Sequence, residues 1–221
     1  MIIISKKGGH TKMTLKEFIN QKILTNRKGL FFLGARPYMG KTSFAVGIAC
    51  EIAKDYPVAY VTLEMSKEEW IKRAKHYQYI TDEKDVSKID IFDEQGLNAT
   101  EIIQKCNKEY RLVIIDYLQL IDREDGNVKD VQKVLKELAE SINYPILVLS
   151  QLSGEIDERE SHIPQIEDLQ LTQLKEEFFD EIFLLYRGVH YDKSAPKDLL
   201  QLITKKQILD FCWIEDRLAI L

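Results

Sequence analysis

Gly34-Ala35-Arg36-Pro37-Tyr38-Met39-Gly40-Lys41-Thr42-Ser43 stands between an apolar run, Leu30-Phe31-Phe32-Leu33, and a second run carrying Phe44, Val46, Ile48, Ala49 and Ile52. The first run reads as a buried strand and the second as a helix, so the stretch between them is a strand-to-helix loop ending in Gly-Lys-Thr. A loop of that kind binds phosphate. Successive backbone N–H groups point at one anion, and the following helix presents its positive end. Lys41 is placed to reach the outer phosphates, and the Thr42 hydroxyl to hold Mg²⁺. The pattern departs from G-x-x-x-x-G-K-[ST] at one point: Ala35 occupies the first glycine position, and Gly34 lies one residue earlier.

Working outward, the next apolar runs alternate with helical ones. Val58 to Leu63 is rich in strand formers and ends at Glu64; Ser66 and Glu69 then form a capping box for a helix with Trp70 and Ile71. Ile89 to Phe92 is a short strand, followed from about Asn98 by a helix with Ile102, Ile103 and Cys106 inward. Leu112-Val113-Ile114-Ile115 is apolar throughout and stops at Asp116, as a strand covered on both faces does. Val131, Val134, Leu135, Leu138 and Ile142 mark another helix, and Ile146 to Gln151 another strand. This alternation predicts an α/β fold, a mostly parallel sheet flanked by helices, with its ligand at the carboxyl ends of the strands. Ala35, Glu64, Asp116 and Gln151 all fall on that edge. Strands over Ile182–Arg187 and Leu199–Ile203, and a candidate over Phe211–Ile214, extend the sheet with antiparallel members. The polar stretch from Ser153 to Pro164 reads as a surface loop.

Before the phosphate loop, Thr14 and Glu17 form a capping box for a helix with Leu15, Phe18, Ile19, Ile23 and Leu24 near helical spacing. Residues 1–13 are expected to be a frayed or partner-ordered arm. Residues 1–28 thus read as an arm with a short helix, and 29–221 as the main domain.

Composition bounds the function. The 221 residues carry 31 Lys and Arg against 36 Asp and Glu, a net charge of -5, so no global attraction draws the chain to nucleic acid or an anionic membrane. Cys50, Cys106 and Cys212 are odd in number and far apart, which fits free thiols in a reducing cytosol rather than disulfides or a metal cluster. The opening Met1 to Lys7 has too short an apolar run for a signal peptide or a membrane span, and no later run is long enough either, so the chain reads as cytoplasmic. His10, His76, His162 and His190 are scattered and receive no role. Tyr77 and Tyr79, near Lys72, Arg73 and Lys75, allow base stacking beside a basic patch. They read more simply as core anchors on a solvated helix face.

Hydrolysis of a nucleoside triphosphate needs positioned charges around the phosphates. Asp116 suits the second hold on Mg²⁺ and Glu64 the base that polarises water. Gln151 suits a hydrogen-bonding reporter of the γ-phosphate.

Four blocks in order carry a resemblance: Ala35 to Thr42, Thr62-Leu63-Glu64-Met65, Ile115-Asp116-Tyr117-Leu118-Gln119-Leu120, and Leu149-Ser150-Gln151-Leu152. They resemble the ATPase domain of DnaB-type replicative helicases, in the RecA-like P-loop superfamily, and Leu184 to Arg187 resembles a later block. The resemblance implies ATP with Mg²⁺ and a homo-oligomer, a hexameric ring around single-stranded DNA, working with replication proteins. It assigns the phosphates to the loop from Ala35 to Ser43, catalysis to Lys41, Glu64, Asp116 and Gln151, and metal to Thr42 and Asp116. It also matches Lys205 to a lysine of the family's Lys-Gln-Arg run, whose arginine reaches the neighbouring subunit's nucleotide. Here the run is Lys205-Lys206-Gln207, so glutamine stands in the finger position. The segment Gln170 to Lys175 lacks the glycine of the family's DNA-contacting loop, and the loop after Gln119 is acidic, with Asp122, Glu124 and Asp125 against Arg123. Gln207 and the acidic loop favour a rival, a regulatory or loading module that keeps the ATP site; a second rival, a small-molecule kinase on the same P-loop, is opposed by the Leu63-Glu64-Met65 and Ser150-Gln151 blocks.

Overall fold

A computed structural model describes residues 10–25, 28–77, 79–80, 82–122, 128–214 and 217–218. The first half of the chain runs β1 (His10–Lys12), α1 (Leu15–Phe18), β2 (Gly29–Ala35), α2 (Lys41–Ala53), β3 (Val58–Thr62), α3 (Lys67–His76), β4 (Ile89–Phe92) and α4 (Ala99–Lys105). Then follow β5 (Leu112–Asp116), α5 (Val128–Ser141), β6 (Pro145–Gln151), β7 (Glu181–Tyr186), β8 (Leu199–Ile203), β9 (Ile208–Ile214) and β10 (Arg217–Leu218). The strands form one sheet in the order β1-β9-β8-β7-β2-β6-β5-β3-β4, with β10 paired to β9.

Its central part is parallel: β2 pairs with β6 and β7, β5 with β6 and β3, and β3 with β4. Side chains of β2 alternate between two cores, as the two-residue period of a strand requires. Phe31 and Leu33 join the core under α1 and α2; Leu30 and Phe32 join the other, which α4 and α5 cover. This double burial explains why β2, β3 and β5 read as unbroken apolar runs. From β2 the chain passes through α2 to β3, three places away in the sheet. Such a change of strand order opens a crevice at the carboxyl ends.

The antiparallel members are β8, paired to β7 and β9, and β10. β7 departs from the expectation, because it runs parallel to β2. The segment of about thirty residues between β6 and β7 returns the chain to the starting end of the sheet, where the next strand must run in the same direction.

Residues 10–12, expected in a loose arm, form β1 parallel to β9 at the edge of the sheet. Residues 1–9 lie outside the described residues. Both capping boxes form as expected, Thr14 with Glu17 and Ser66 with Glu69, and Asn98 with Glu101 makes a third. After α1 the helix widens into a π turn over Ile19–Ile23. Phe18, fully buried, sets its ring edge against Phe44, Phe183 and Phe211 at centroid distances of 5.6, 5.1 and 5.7 Å. The segment before β2 is therefore part of the core that supports α2.

Candidate nucleotide site

Gly34 sits within β2, and its missing side chain is a packing requirement. A Cβ there would come 2.6 Å from the Phe32 ring and 2.9 Å from Leu152. Gly34→Ala is expected to cost about 1–3 kcal/mol through overpacking, read as a lowered midpoint in urea with an unchanged slope. Ala35 can stand where the pattern has glycine because it still lies in the strand, paired to Gln151 and Leu185. The loop proper turns on Gly40, whose φ of 90° and ψ of 20° lie in the left-handed region that favours glycine. Gly40 caps α2 without a side-chain hydrogen bond, so the first-turn amides of this thirteen-residue helix are left for an external acceptor.

Two loop residues commit their side chains to the chain itself. Met39 is 1 % exposed, buried in the core beside α2, and its amide turns back toward the Arg36 carbonyl at 3.4 Å. An apolar side chain in a short loop gains most by burial. Arg36 borders the cleft, but its guanidinium is spent inside the chain: Nε donates to Asp157 Oδ2 at 3.0 Å and Nη1 to the Leu152 carbonyl at 2.9 Å. Tyr191 donates to the other Asp157 oxygen at 2.6 Å. Arg36 first, and then Tyr191, hold the Asp157 carboxyl below its usual range. A depressed carboxylate contributes stability that is present above its unfolded pKa and lost as pH falls through the folded one. Asp157→Asn should therefore lower Tm at pH 7, and the difference from wild type should shrink as pH falls through the lowered carboxyl pKa, as thermal melts at decreasing pH would show.

On the opposite wall, the Thr62 hydroxyl donates to the Met65 carbonyl at 3.0 Å and accepts from the Met65 amide at 3.2 Å. This tight turn leaves Glu64 exposed at the strand end. Thr62 pairs with Asp116 across β3 and β5, and the Leu63 amide donates to the Asp116 carbonyl at 2.8 Å. Asp116 is 0 % exposed. Its Oδ1 accepts from Lys41 Nζ at 3.1 Å and its Oδ2 from the Tyr60 hydroxyl at 2.9 Å. Burial, then the charge of Asp116, push the Tyr60 phenol well above its ordinary range, so it remains a donor. Lys41 Nζ also lies 4.8 Å from the centre of the Tyr117 ring. Burial raises the Tyr117 phenol, and Glu64 and Asp116 add to that rise, which places both negative charges around one ring.

Lys41, Thr42, Ser43, Glu64 and Gln151 line a single cleft of about 590 Å³, together with Gly40 and the outer loop from Ala35 to Tyr38. Asp116 lies behind it through Lys41. Gln151 is held by its neighbour: Gln119 Nε2 donates to Ser150 Oγ and to the Gln151 carbonyl, both at 2.9 Å. Lys205 is placed apart from this cleft. It sits at the exposed tip of the β8–β9 hairpin, 3.2 Å from Glu176, while Gln207 accepts a hydrogen bond from Thr11 of β1 at 3.4 Å. Of the acidic loop after Gln119, Arg123, Glu124 and Asp125 lie outside the described residues. In the glycine-free segment, Gln173 adopts a φ of 62°, the left-handed conformation that glycine favours. Its carbonyl accepts from fully buried Gln132 at 3.5 Å, and Gln132 in turn accepts from the Lys175 amide at 2.9 Å.

Four further residues line the cleft: Arg73, Tyr77, Tyr117 and Arg187. Arg73 of α3 and Tyr77, which caps its C-terminus, are four apart, beside the buried pair Trp70 and Ala74. That spacing was the available signal, since a residue one step off the buried stripe of a helix starting next to Glu64 has to face the crevice.

The family model for the DnaB-like helicase C terminal domain matches residues 19–87 and 75–209. The chain belongs to that family. This DnaB-like domain is 30% identical to the replicative DNA helicase DnaC of Bacillus subtilis, over 82% of the chain and 48% of that protein. It is 28% identical to the replicative DNA helicase DnaB of Geobacillus stearothermophilus, again over 82% and 48%. The chain thus spans about half the length of the curated relatives it matches. Among solved structures, the ATPase domain of G40P superposes with a TM-score of 0.82 at 25% identity, covering 96% of this chain and 93% of that one. A DnaB-like replicative helicase described with its interactions with primase gives 0.80 at 26%, covering 97% and 64%. The RadB recombinase, at 14% identity and a TM-score of 0.63, shares the fold alone. The fold is therefore the RecA-like P-loop one, as the motif blocks implied.

Proposed function

We propose that this DnaB-like domain binds ATP with Mg²⁺, hydrolyses it, and works in the cytoplasm on single-stranded DNA as a homo-oligomeric ring with replication proteins. The observation that carries the reading is the meeting of Lys41, Thr42 and exposed Glu64 in one cleft in front of buried Asp116. The uncapped amides of α2 and the Lys41 ammonium receive the phosphates, and the Asp116 carboxylate and Tyr117 ring keep that ammonium aimed. Glu64 orients a water against the γ-phosphorus and takes its proton; the new P–O bond forms as the bond to the β-phosphate oxygen breaks, and ADP leaves. The Thr42 hydroxyl in the cleft suits a hard cation that takes its remaining ligands from phosphates and water, with the Asp116 carboxylate as the buried negative charge behind it. When bound there, Mg²⁺ would neutralise charge building on the phosphate oxygens. No helix among the described residues is long and apolar enough to cross a membrane.

A second reading, a regulatory or loading module that binds a partner protein, is favoured by Gln207 and by the segment 166–177. Gln207 is tied to Thr11 of its own chain, and Glu167, Glu176 and Glu177 outnumber Lys175 beside a cleft of about 500 Å³. Carboxylates there repel a phosphate backbone. ATP hydrolysis measured with and without single-stranded DNA, alongside native mass with and without ATP, separates the two. Stimulation with assembly supports the helicase role, and tight ATP binding with negligible, unstimulated turnover supports the module.

A further inference from the structure

We infer that Tyr60 is a positioning residue for the nucleotide reaction: its buried hydroxyl fixes the Asp116 carboxylate by one oxygen, so that the other stays turned toward Lys41 and the metal side of the cleft. This rests on the nucleotide reading above and adds to it a group that holds Asp116 from behind. Tyr60 stands two residues before Thr62 on β3, and Thr62 pairs with Asp116 of β5. Side chains alternate along a strand, so Tyr60, Thr62 and Asp116 share one face of the sheet. It is the face under α2, whose core includes Tyr60.

The two oxygens of Asp116 have partners of different kinds. Oδ1 accepts from Lys41 Nζ at 3.1 Å, and Oδ2 accepts from the Tyr60 hydroxyl at 2.9 Å. Lys41 lines the cleft and turns toward phosphates that enter it, whereas Tyr60 is fully buried and stays. The Trp70 ring, also fully buried, meets the Tyr60 ring edge-on at 5.2 Å and 66°, so the phenol is pinned by packing. The last torsion of an aspartate is broad and roughly two-fold, so a carboxylate without a fixed partner turns easily. Once Lys41 is engaged by phosphate, the bond from Tyr60 sets the carboxylate plane and keeps Oδ1 toward the loop. A hydrogen bond to an ionised acceptor is stronger than a neutral one, which suits it to that task. If Tyr60 only filled the core, phenylalanine would serve as well.

The test titrates Mn²⁺ into the full chain saturated with a non-hydrolysable ATP analogue, followed by loss of the free-ion EPR signal, and measures metal-free analogue affinity by calorimetry. Tyr60→Phe keeps the ring and removes the hydroxyl. It is expected to weaken Mn²⁺ binding about 10- to 100-fold, the range for losing a group that orients a metal-site side chain. Metal-free analogue affinity should stay within about twofold. Turnover lost at low Mg²⁺ should return at high Mg²⁺, which a folding defect would not do. Asp116→Asn removes the charge that Tyr60 holds, so in that background Tyr60→Phe should cost no further Mn²⁺ affinity. The same pair of variants keeps the comparison open if Tyr60→Phe alone folds poorly, because no buried charge is then left stranded. The inference is overturned if Tyr60→Phe leaves Mn²⁺ affinity unchanged, if it weakens metal-free analogue binding to the same extent, or if its loss adds in full to that of Asp116→Asn. A wild-type chain that binds neither the analogue nor Mn²⁺ would remove the nucleotide reading itself, a different failure from one in which wild type binds both and Tyr60→Phe matches it.

Discussion

Lys41→Ala is expected to lower ATP turnover by at least about 10²- to 10³-fold, the range for removing a single charged or hydrogen-bonding group from a developing anion. The loss has two physical parts, and they can be separated. The ammonium belongs to the first residue of α2, so its removal takes a positive charge from beside the amides that receive the phosphates. It is also the cationic partner of Asp116, which has no exposure to solvent and would be left with only the Tyr60 hydroxyl. Breaking a buried pair from one side costs about 3–5 kcal/mol, so the single variant should also unfold more easily. The double variant Lys41→Ala/Asp116→Asn removes the stranded charge. It should recover much of the stability and none of the turnover, and a thermal melt beside a phosphate-release assay reads both. Normal turnover in either variant would take Lys41 out of the phosphate site.

What could be read from the sequence follows from how many neighbours a residue needs to declare its role. β2, β3, β5 and β6 were legible because strands buried on both faces must be apolar along their length, and their carboxyl ends marked Glu64, Asp116 and Gln151 directly. β1 was not, since His10-Thr11-Lys12 has no apolar pattern and gains its place only by pairing with β9, some two hundred residues later. The direction of β7 was also hidden, because it depends on where the long segment after β6 leaves the chain. Within the phosphate loop the sequence gives spacing but not facing. Arg36 looks like a cation for phosphate until Asp157 claims it, and Met39 looks like a loop residue until the core does. Tyr77 and Tyr79 read as core anchors on a solvated helix face that includes Arg73; Tyr79 is buried, and Tyr77, half-buried against the core, lines the cleft as well. Arg73 borders the cleft too, because α3 lies against α2 with Tyr79 wedged at Gly47.

Glu64→Gln separates chemistry from binding. It should lower turnover by about 10²- to 10⁴-fold, the range for losing a general base, while ATP affinity and melting temperature stay near wild type. The argument rests on how differently the two strand-end carboxylates are placed. Asp116 is buried and already committed to Lys41 and Tyr60, so it is held as a fixed charge. Glu64 is exposed in the cleft, on a turn braced by the Thr62 hydroxyl and by the Leu63 amide bonded to the Asp116 carbonyl. Its position is set by the backbone, and its carboxylate is left to act. Glutamine keeps the length and the hydrogen bonds but cannot take a proton at working pH, so only a step that moves a proton should suffer. Single-turnover hydrolysis with saturating ATP, beside equilibrium binding, measures the two separately. Should affinity collapse while the residual rate per bound ATP stays normal, Glu64 would be a ligand-holding residue, and the proton would have to leave the attacking water by another route.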